Sequence, residues 1–285
     1  MIKKVFKRRH THEIINTENS DRVARFNISD KAPVRSIIGF AGLTAGAGAT
    51  TLAFAATEYL AANARKKTGA VTFIELDPRQ TSPAGRTYDK IGIDRRFAGR
   101  EFVPFYRLAA EGMPLKGIQN IDGGVNWMLR TPGDTGPVPS GTTLLRLFNN
   151  SPGDIVICDI PVHGYLSNST ASGVNERMNG HDTLLALLAD LDHLICIFDP
   201  LPSSLLASVP AAEACRAAAD AGVKTTYVFN KMNSGVNIRE AIRFTGIRDY
   251  LPIPAVSSEV IYSSEYACRS LASEQTIKIA LSTLL

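Results

Sequence analysis

Residues 42 to 52, "GLTAGAGATTL", place three glycines and three threonines between an apolar run and an Ala/Leu-rich run. A loop of this composition can turn several backbone N–H groups toward phosphate oxygens. A helix starting at its end adds a positive dipole at the same point. Gly48, Ala49 and Thr50 stand at the G-K-[ST] end of a phosphate-loop pattern, with alanine in the lysine position. Thr50 is then the residue expected to offer a hydroxyl to Mg²⁺. Two carboxylates complete the set: Asp77 ends "AVTFIELD" and Asp159 ends "DIVICD", each soon followed by a proline. A carboxylate so placed can hold a Mg²⁺-bound water beside a phosphate. At the end of a buried strand it needs a metal or hydrogen-bond donors as partners. Each feature alone has a plainer reading, a Gly/Ala packing turn or an aspartate that caps the next turn.

These residues act together only if the chain carries them to one place. Apolar, β-branched runs predict strands at 36–42, 70–77, 125–131, 154–160, 193–199 and 224–230, with a shorter one near 250–256. Ala/Leu-rich stretches between them predict helices at 50–66, 101–112, 140–149, 181–190, 203–221, 236–245 and 273–285. Near-continuous apolar strands alternating with helices predict an α/β fold, a doubly wound, mostly parallel sheet with helices on both faces. No repeat or linker divides it, so a single domain is expected over 35–285, behind a basic N-terminal extension, 1–34. Ligands in such folds sit at the carboxyl ends of the strands. Those ends fall at 42–51, 77–85, 130–136, 159–164, 199–204 and 230–233, where the chemically useful residues collect.

Composition narrows the classes. The chain is 45% hydrophobic and 20% charged, enough apolar material for a sizeable core. No apolar stretch approaches the ~18 residues of a membrane span, and the N-terminus lacks the apolar centre of a signal peptide. Cys158, Cys196, Cys215 and Cys268 lie far apart, two within apolar runs, as expected of reduced thiols in a cytoplasmic protein. Residues 1–35 hold nine basic and four acidic residues, a balance of +5 that leaves −1 for the remainder. The segment "MIKKVFKRR", 1–9, is therefore the candidate contact for an anionic surface, a membrane's inner face or nucleic acid, or a solvated tail without a role. His163, His181 and His193 read as surface residues, with His163 nearest the presumed metal. The last helix has Ile277, Leu281, Leu284 and Leu285 at helical spacing, which suits packing on the body.

Taken in order, these stretches resemble the MinD/ParA group of deviant Walker P-loop ATPases. The family loop K-G-G-x-G-K-[ST] aligns with residues Thr44 to Thr50, and its D-x-D-P-Q with Glu75 to Gln80. Its D-Y-I-I-I-D-x-P-x-G aligns with Asp154 to Pro161, the glycine arriving one residue late as Gly164. "GVNWMLRTPGD", "IFDPLPSSLLAS", "YVFNKMN" and "LPIPAVSSEVIYSSEYACRS" resemble later family elements, so the likeness covers roughly 34–285. It implies ATP and Mg²⁺ as ligands. Gly46, Ala47, Gly48, Ala49, Thr50 and Thr51 would line the phosphates and Thr50 would ligate Mg²⁺. Asp159 would hold the metal's hydration shell and Asp77 would position the attacking water. Asn230 would bind the adenine edge, with Pro254 beside the base. The resemblance also implies a homodimer that positions a protein partner.

Both family lysines are absent, replaced by Thr44 and Ala49. Each charge-assisted hydrogen bond to phosphate contributes about 1.5–3 kcal/mol, and charge stabilisation supplies most of phosphoryl-transfer catalysis. Their loss predicts a pseudo-ATPase, impaired in hydrolysis by several powers of ten, at about 1.4 kcal/mol per tenfold. Binding is expected to suffer less, because amides, dipole, metal and base contacts remain. Arg79, Arg86, Lys90 or Arg130, on loops at the same edge, could supply a cation instead. An altered loop is similar to that of the TadZ/CpaE branch, pole-marking factors for Tad-type pili. Members of that branch commonly carry a receiver-like domain, for which about 34 preceding residues are too few. The competing readings are an active ATPase for partition or positioning, and a structural protein that no longer binds nucleotide.

Overall fold

The computed structural model describes residues 35–64, 71–77, 86–113, 120–132, 141–167 and 174–285. The basic extension, with its candidate contact segment 1–9, and the loop 78–85 lie outside the described residues.

Among the described residues, eight strands form one sheet: β1 (Ser36–Gly42), β2 (Val71–Glu75), β3 (Ile121–Asp122), β4 (Val125–Met128), β5 (Ile155–Ile160), β6 (His193–Phe198), β7 (Lys224–Met232) and β8 (Leu251–Pro254). Their order across the sheet is β3-β4-β2-β5-β1-β6-β7-β8. Every pairing is parallel except β3 with β4, which Gly123 and Gly124 join by a two-residue turn with φ of 60° and 84°. Positive φ at both central residues is what a hairpin of that length demands, and glycine adopts it without penalty.

The helices are α1 (Ala49–Ala64), α2 (Arg86–Ile91), α3 (Ile93–Arg96), α4 (Phe105–Ala110), α5 (Gly141–Asn150), α6 (Val162–Ser167), α7 (Val174–Ala189), α8 (Pro202–Ala207), α9 (Val209–Asp220), α10 (Ile238–Thr245), α11 (Ser258–Tyr266) and α12 (Gln275–Leu284). The helix predicted over 203–221 is broken in two. Pro210 has no N–H to continue the ladder, and Ser208, whose hydroxyl donates to Leu205 O at 2.7 Å, joins α8 to α9.

The strands bury both faces. Along β5, Val156, Cys158 and Ile160 face one apolar layer with α5, α7 and α9, while Ile157 faces the other with α1 and α12. Along β6, Leu194, Cys196 and Phe198 alternate with Ile195 and Ile197 in the same way. This period of two, with apolar residues on both sides, produces the continuous apolar runs of the sequence. Gly39 in β1 lets Leu191 approach closely: a Cβ there would lie 2.5 Å from Leu191 Cδ1. α12 buries Ile277, Ala280, Leu281 and Leu284, as the spacing predicts, although Leu285 stays partly exposed. Cys158, Cys196 and Cys215 are buried free thiols. Among the described residues, no helix is long and apolar enough to cross a membrane.

His193 is not the surface residue that its sequence suggests. It begins β6, pairs with Ile38 and Lys224, and is buried, with Nε2 2.8 Å from Thr226 Oγ1. Burial, with the nearby Lys224 charge, lowers its pKa to about 4. Its folded pKa lies below its ordinary value, so the unfolded chain binds the extra proton as pH falls between the two. The stability it contributes is complete above about pH 6.5 and declines toward about pH 4. Denaturant titrations across that window should show unfolding free energy falling as pH drops. His193→Gln, which keeps a partner for Thr226, should flatten the slope; an unchanged slope would assign it to other groups.

Candidate functional site

β1 lies at the centre of the sheet, between β5 and β6, and its carboxyl end runs through residues 43–48 into α1. Gly46 and Gly48 hold φ of 77° and 94°, the left-handed region that glycine enters freely. At Gly48 space forbids a side chain as well, because a Cβ would lie 2.4 Å from Asn230 Nδ2. Asn230, near the end of β7, donates from that nitrogen to Ala47 O at 2.8 Å. The next residue, Lys231, has φ of 59° at an irregularity in the β7–β8 pairing. Its Nζ donates to Gly46 O and, at 2.9 Å, to Asp199 Oδ2. The loop is thus held from β7 by an amide and an ammonium.

A cavity of about 360 Å³ opens where the loop meets the strand ends, within the size range of small-ligand sites. Gly46, Ala47, Gly48, Ala49, Thr50 and Thr51 line it, with Asp77, Asp159 and Asn230. Thr44 joins them, 8% exposed, with its Oγ1 buried and lacking a hydrogen-bond partner. A buried hydroxyl left so is costly, and a phosphate oxygen in the cavity would satisfy it. Pro254 is exposed and outside the lining; Val256, two residues on, takes part instead. His163 lines the cavity with Nδ1 3.1 Å from Gly42 O, whereas His181 is exposed on α7.

Thr50 Oγ1 donates to Asp159 Oδ2 at 2.7 Å, joining the first turn of α1 to the end of β5. Burial pushes the Asp159 carboxyl up to about 7; the Thr50 bond and the Lys90 charge work against the shift, Glu75 and Asp77 with it. Glu75 is the residue opposite Asp159 in the β2–β5 register. Burial raises its pKa too, although the Thr87 hydroxyl donates to Oε1 at 2.7 Å and the Arg130 N–H to Oε2 at 3.1 Å. Three carboxylates therefore face one cavity. Thr50 and Asp159 supply hard oxygen donors of the kind Mg²⁺ takes alongside water and phosphate, so the pair fits such an ion. Bound there, Mg²⁺ would supply charge neutralisation for phosphate oxygens. Among the described residues, no group of three or more His, Cys, Asp and Glu could hold a metal without such help.

Of the basic residues that could replace the missing lysines, Lys90 lines the cavity, with Nζ 2.6 Å from Thr51 Oγ1. Arg130 is buried away from the lining, and Arg79 and the Arg86 side chain lie outside the described residues. Nothing in the sequence singles out Lys231, Thr87 or the apolar lining residues Ile261 and Leu271, and Ile277 reads there only as a packing position. The position of Lys231 directly after Asn230 was the available signal. The apolar three are indistinguishable in sequence from core positions.

No family model matches the sequence, and no curated protein matches it. Solved structures do. The cell division ATPase MinD of Pyrococcus furiosus superimposes with a TM-score of 0.60 at 13% identity, covering 88% of this chain and 99% of that one. A ParA family ATPase from Chlorobium tepidum gives 0.58 at 14%, covering 88% and 98%. The ATP complex of a Cyanothece McdA variant gives 0.56 at 14%, covering 89% and 97%. At these identities the likeness shows the fold, that of an α/β P-loop NTPase.

The loop geometry sets an expectation for its glycines. Gly46→Ala meets open space and carries only the left-handed penalty, about 1 kcal/mol. Gly48→Ala must also displace the Asn230 amide, and should lose about 1–3 kcal/mol and loosen the loop. Equal melting shifts for the two variants would refute the Asn230 contact.

Proposed function

We propose that the chain binds ATP with Mg²⁺ in this cavity, hydrolyses it poorly, and acts as a dimeric positioning or scaffolding factor of MinD/ParA kind. One observation carries the reading. The left-handed loop, the N-terminus of α1, the orphaned Thr44 hydroxyl and the Thr50–Asp159 pair converge on a single cavity, while both lysine positions hold short side chains. Amides and dipole supply phosphate binding; the charge needed on the transferring phosphoryl group is what the loop lacks. In this reading Thr50 takes a metal site, Asp159 holds its water shell, Asp77 faces the attacking water, and Val256 lies toward the base, while the Asn230 amide holds Ala47 O.

Proteins of the same fold support the wider role. McdA of Cyanothece has been solved with ATP, and MinD of Aquifex aeolicus in a MinC:MinD cell division complex. We extend both features to this chain, nucleotide in the cavity and a protein partner on a nucleotide-dependent homodimer. The basic segment 1–9 gives that dimer a contact with an anionic surface, and a cytoplasmic place at the membrane's inner face fits it. Within this kind, the altered loop favours a localisation role of TadZ/CpaE type in pilus assembly.

Calorimetric titration with ATP should give micromolar, Mg²⁺-dependent binding. Absence of heat up to millimolar ATP would instead leave a scaffold that has lost the nucleotide. Turnover should be slow in the natural chain and rise at least about tenfold in a Thr44→Lys/Ala49→Lys double variant, equal to about 1.4 kcal/mol of barrier. Turnover in the natural chain that matches the double variant and disappears with Asp77→Ala would overturn the impairment.

A further inference from the structure

Three carboxylates and a phosphate ligand cannot share a cavity without positive charge, and the loop supplies none. Two lysines among the described residues line it from outside, Lys231 and Lys90. Lys231 is committed to the protein: its ammonium spans Gly46 O and Asp199 Oδ2, and Asp199 also receives the Leu201 N–H at 3.1 Å. Removing it to a ligand would undo the support of the loop.

Lys90 is placed differently. It comes from the last turn of α2, and its Nζ meets a neutral hydroxyl, Thr51 Oγ1, at 2.6 Å. Its charged contact is Glu265 Oε1 on α11, at 3.4 Å, with the Glu265 side chain 55% exposed. A pair that open to water contributes little, so a phosphate can take the place of Glu265 at small cost. Thr51 lies in the first turn of α1, whose residues line the cavity, so an anion bound at that helix end adjoins the ammonium. The Lys90 charge already acts on Asp159 across the cavity.

We infer that Lys90 is the phosphate-binding cation of this site, entering from α2 in place of the lysine missing at Ala49, with a nucleoside di- or triphosphate as its ligand. The inference rests on the nucleotide-binding reading above. It separates Lys90 from Lys231, which holds the loop, and assigns Thr51 the task of orienting the ammonium. It also implies competition: Glu265 and the nucleotide phosphates share one cation, so the α2–α11 contact weakens when nucleotide enters.

Calorimetry with ATP, ADP and AMP tests it on the full chain. Lys90→Met should weaken ATP and ADP about tenfold or more, with melting temperature retained and AMP affected least. Lys90→Arg should restore most of the loss. Lys224→Met, the same charge change at the opposite end of β7, should leave binding unaltered. Should Lys90→Met fail to fold, Glu265→Gln replaces it, and its release of Lys90 should tighten ATP about twofold or more. ATP binding that is equal in Lys90→Met and the natural chain, or is unchanged or weakened by Glu265→Gln, would overturn the inference alone. A natural chain that binds no ATP would overturn both this inference and the nucleotide-binding reading.

Discussion

The Asn230 amide holds the loop between β1 and α1 in the shape on which the site depends. A loop with two left-handed glycines has little internal support, and its carbonyls would otherwise be free to turn into the cavity. The bond from Asn230 Nδ2 to Ala47 O crosses from β7, two strands away, and holds one carbonyl in place. The Lys231 ammonium fixes the carbonyl of Gly46 in the same sense. With those oxygens engaged by donors, the N–H groups at the start of α1 are better placed to meet an anion. Each bond contributes about 0.5–1.5 kcal/mol net, yet together they decide which polar groups the cavity presents. The left-handed φ of Lys231 falls at the irregularity in the β7–β8 pairing, at the residue whose side chain makes this contact.

The electrostatics of the cavity complement that geometry. Glu75 and Asp159 are held among apolar strands, where burial raises both pKa values. The fold tolerates Glu75 through donors from Thr87 and Arg130, and Asp159 through Thr50. Such groups gain when a cation enters, since both the desolvation and the mutual repulsion are then offset. A site of this charge therefore favours a phosphate that brings Mg²⁺ with it over a bare anion. The orphaned hydroxyl of Thr44 belongs to the same account, a polar group that a phosphate oxygen would satisfy.

The strands were legible because burial on both faces writes itself as uninterrupted apolar residues, and all seven expected strands are present. The eighth, β3, spans two residues and is defined by a Gly-Gly turn rather than by any apolar run. The short helices α2, α3, α6 and α11 are not visible in the sequence for a related reason. The first three are too short to show a periodic stripe, and α11, though nine residues long, buries no residue and so carries no apolar face. Loop glycines, Thr50, Asp77 and Asp159 were readable as strand-end residues next to turns. Contacts made across the sheet were not: neither the two carbonyls held from β7 nor the Lys90–Thr51 pair has a sequence spacing that announces it, with 39 residues separating the latter.

Where a cation is mounted decides what it can do. A lysine at position 49 would start inside the first turn of α1, on backbone that the Thr50–Asp159 bond and the sheet hold still. It would follow the phosphates through the small displacements of the reaction, as catalysis by fixed charge requires. Lys90 stands on a six-residue helix anchored by Tyr88, which packs edge-on against Phe102 at 5.2 Å and donates to Asp94 at 2.8 Å. From there a flexible four-carbon stem reaches the cavity. In the reading proposed above, a cation mounted on that flank rather than on the loop adds mainly uniform stabilisation, which strengthens binding without lowering the chemical barrier. On the function proposed above, moving the positive charge from loop to flank is a physical route from an enzyme of this fold to a protein that would hold nucleotide and turn it over slowly.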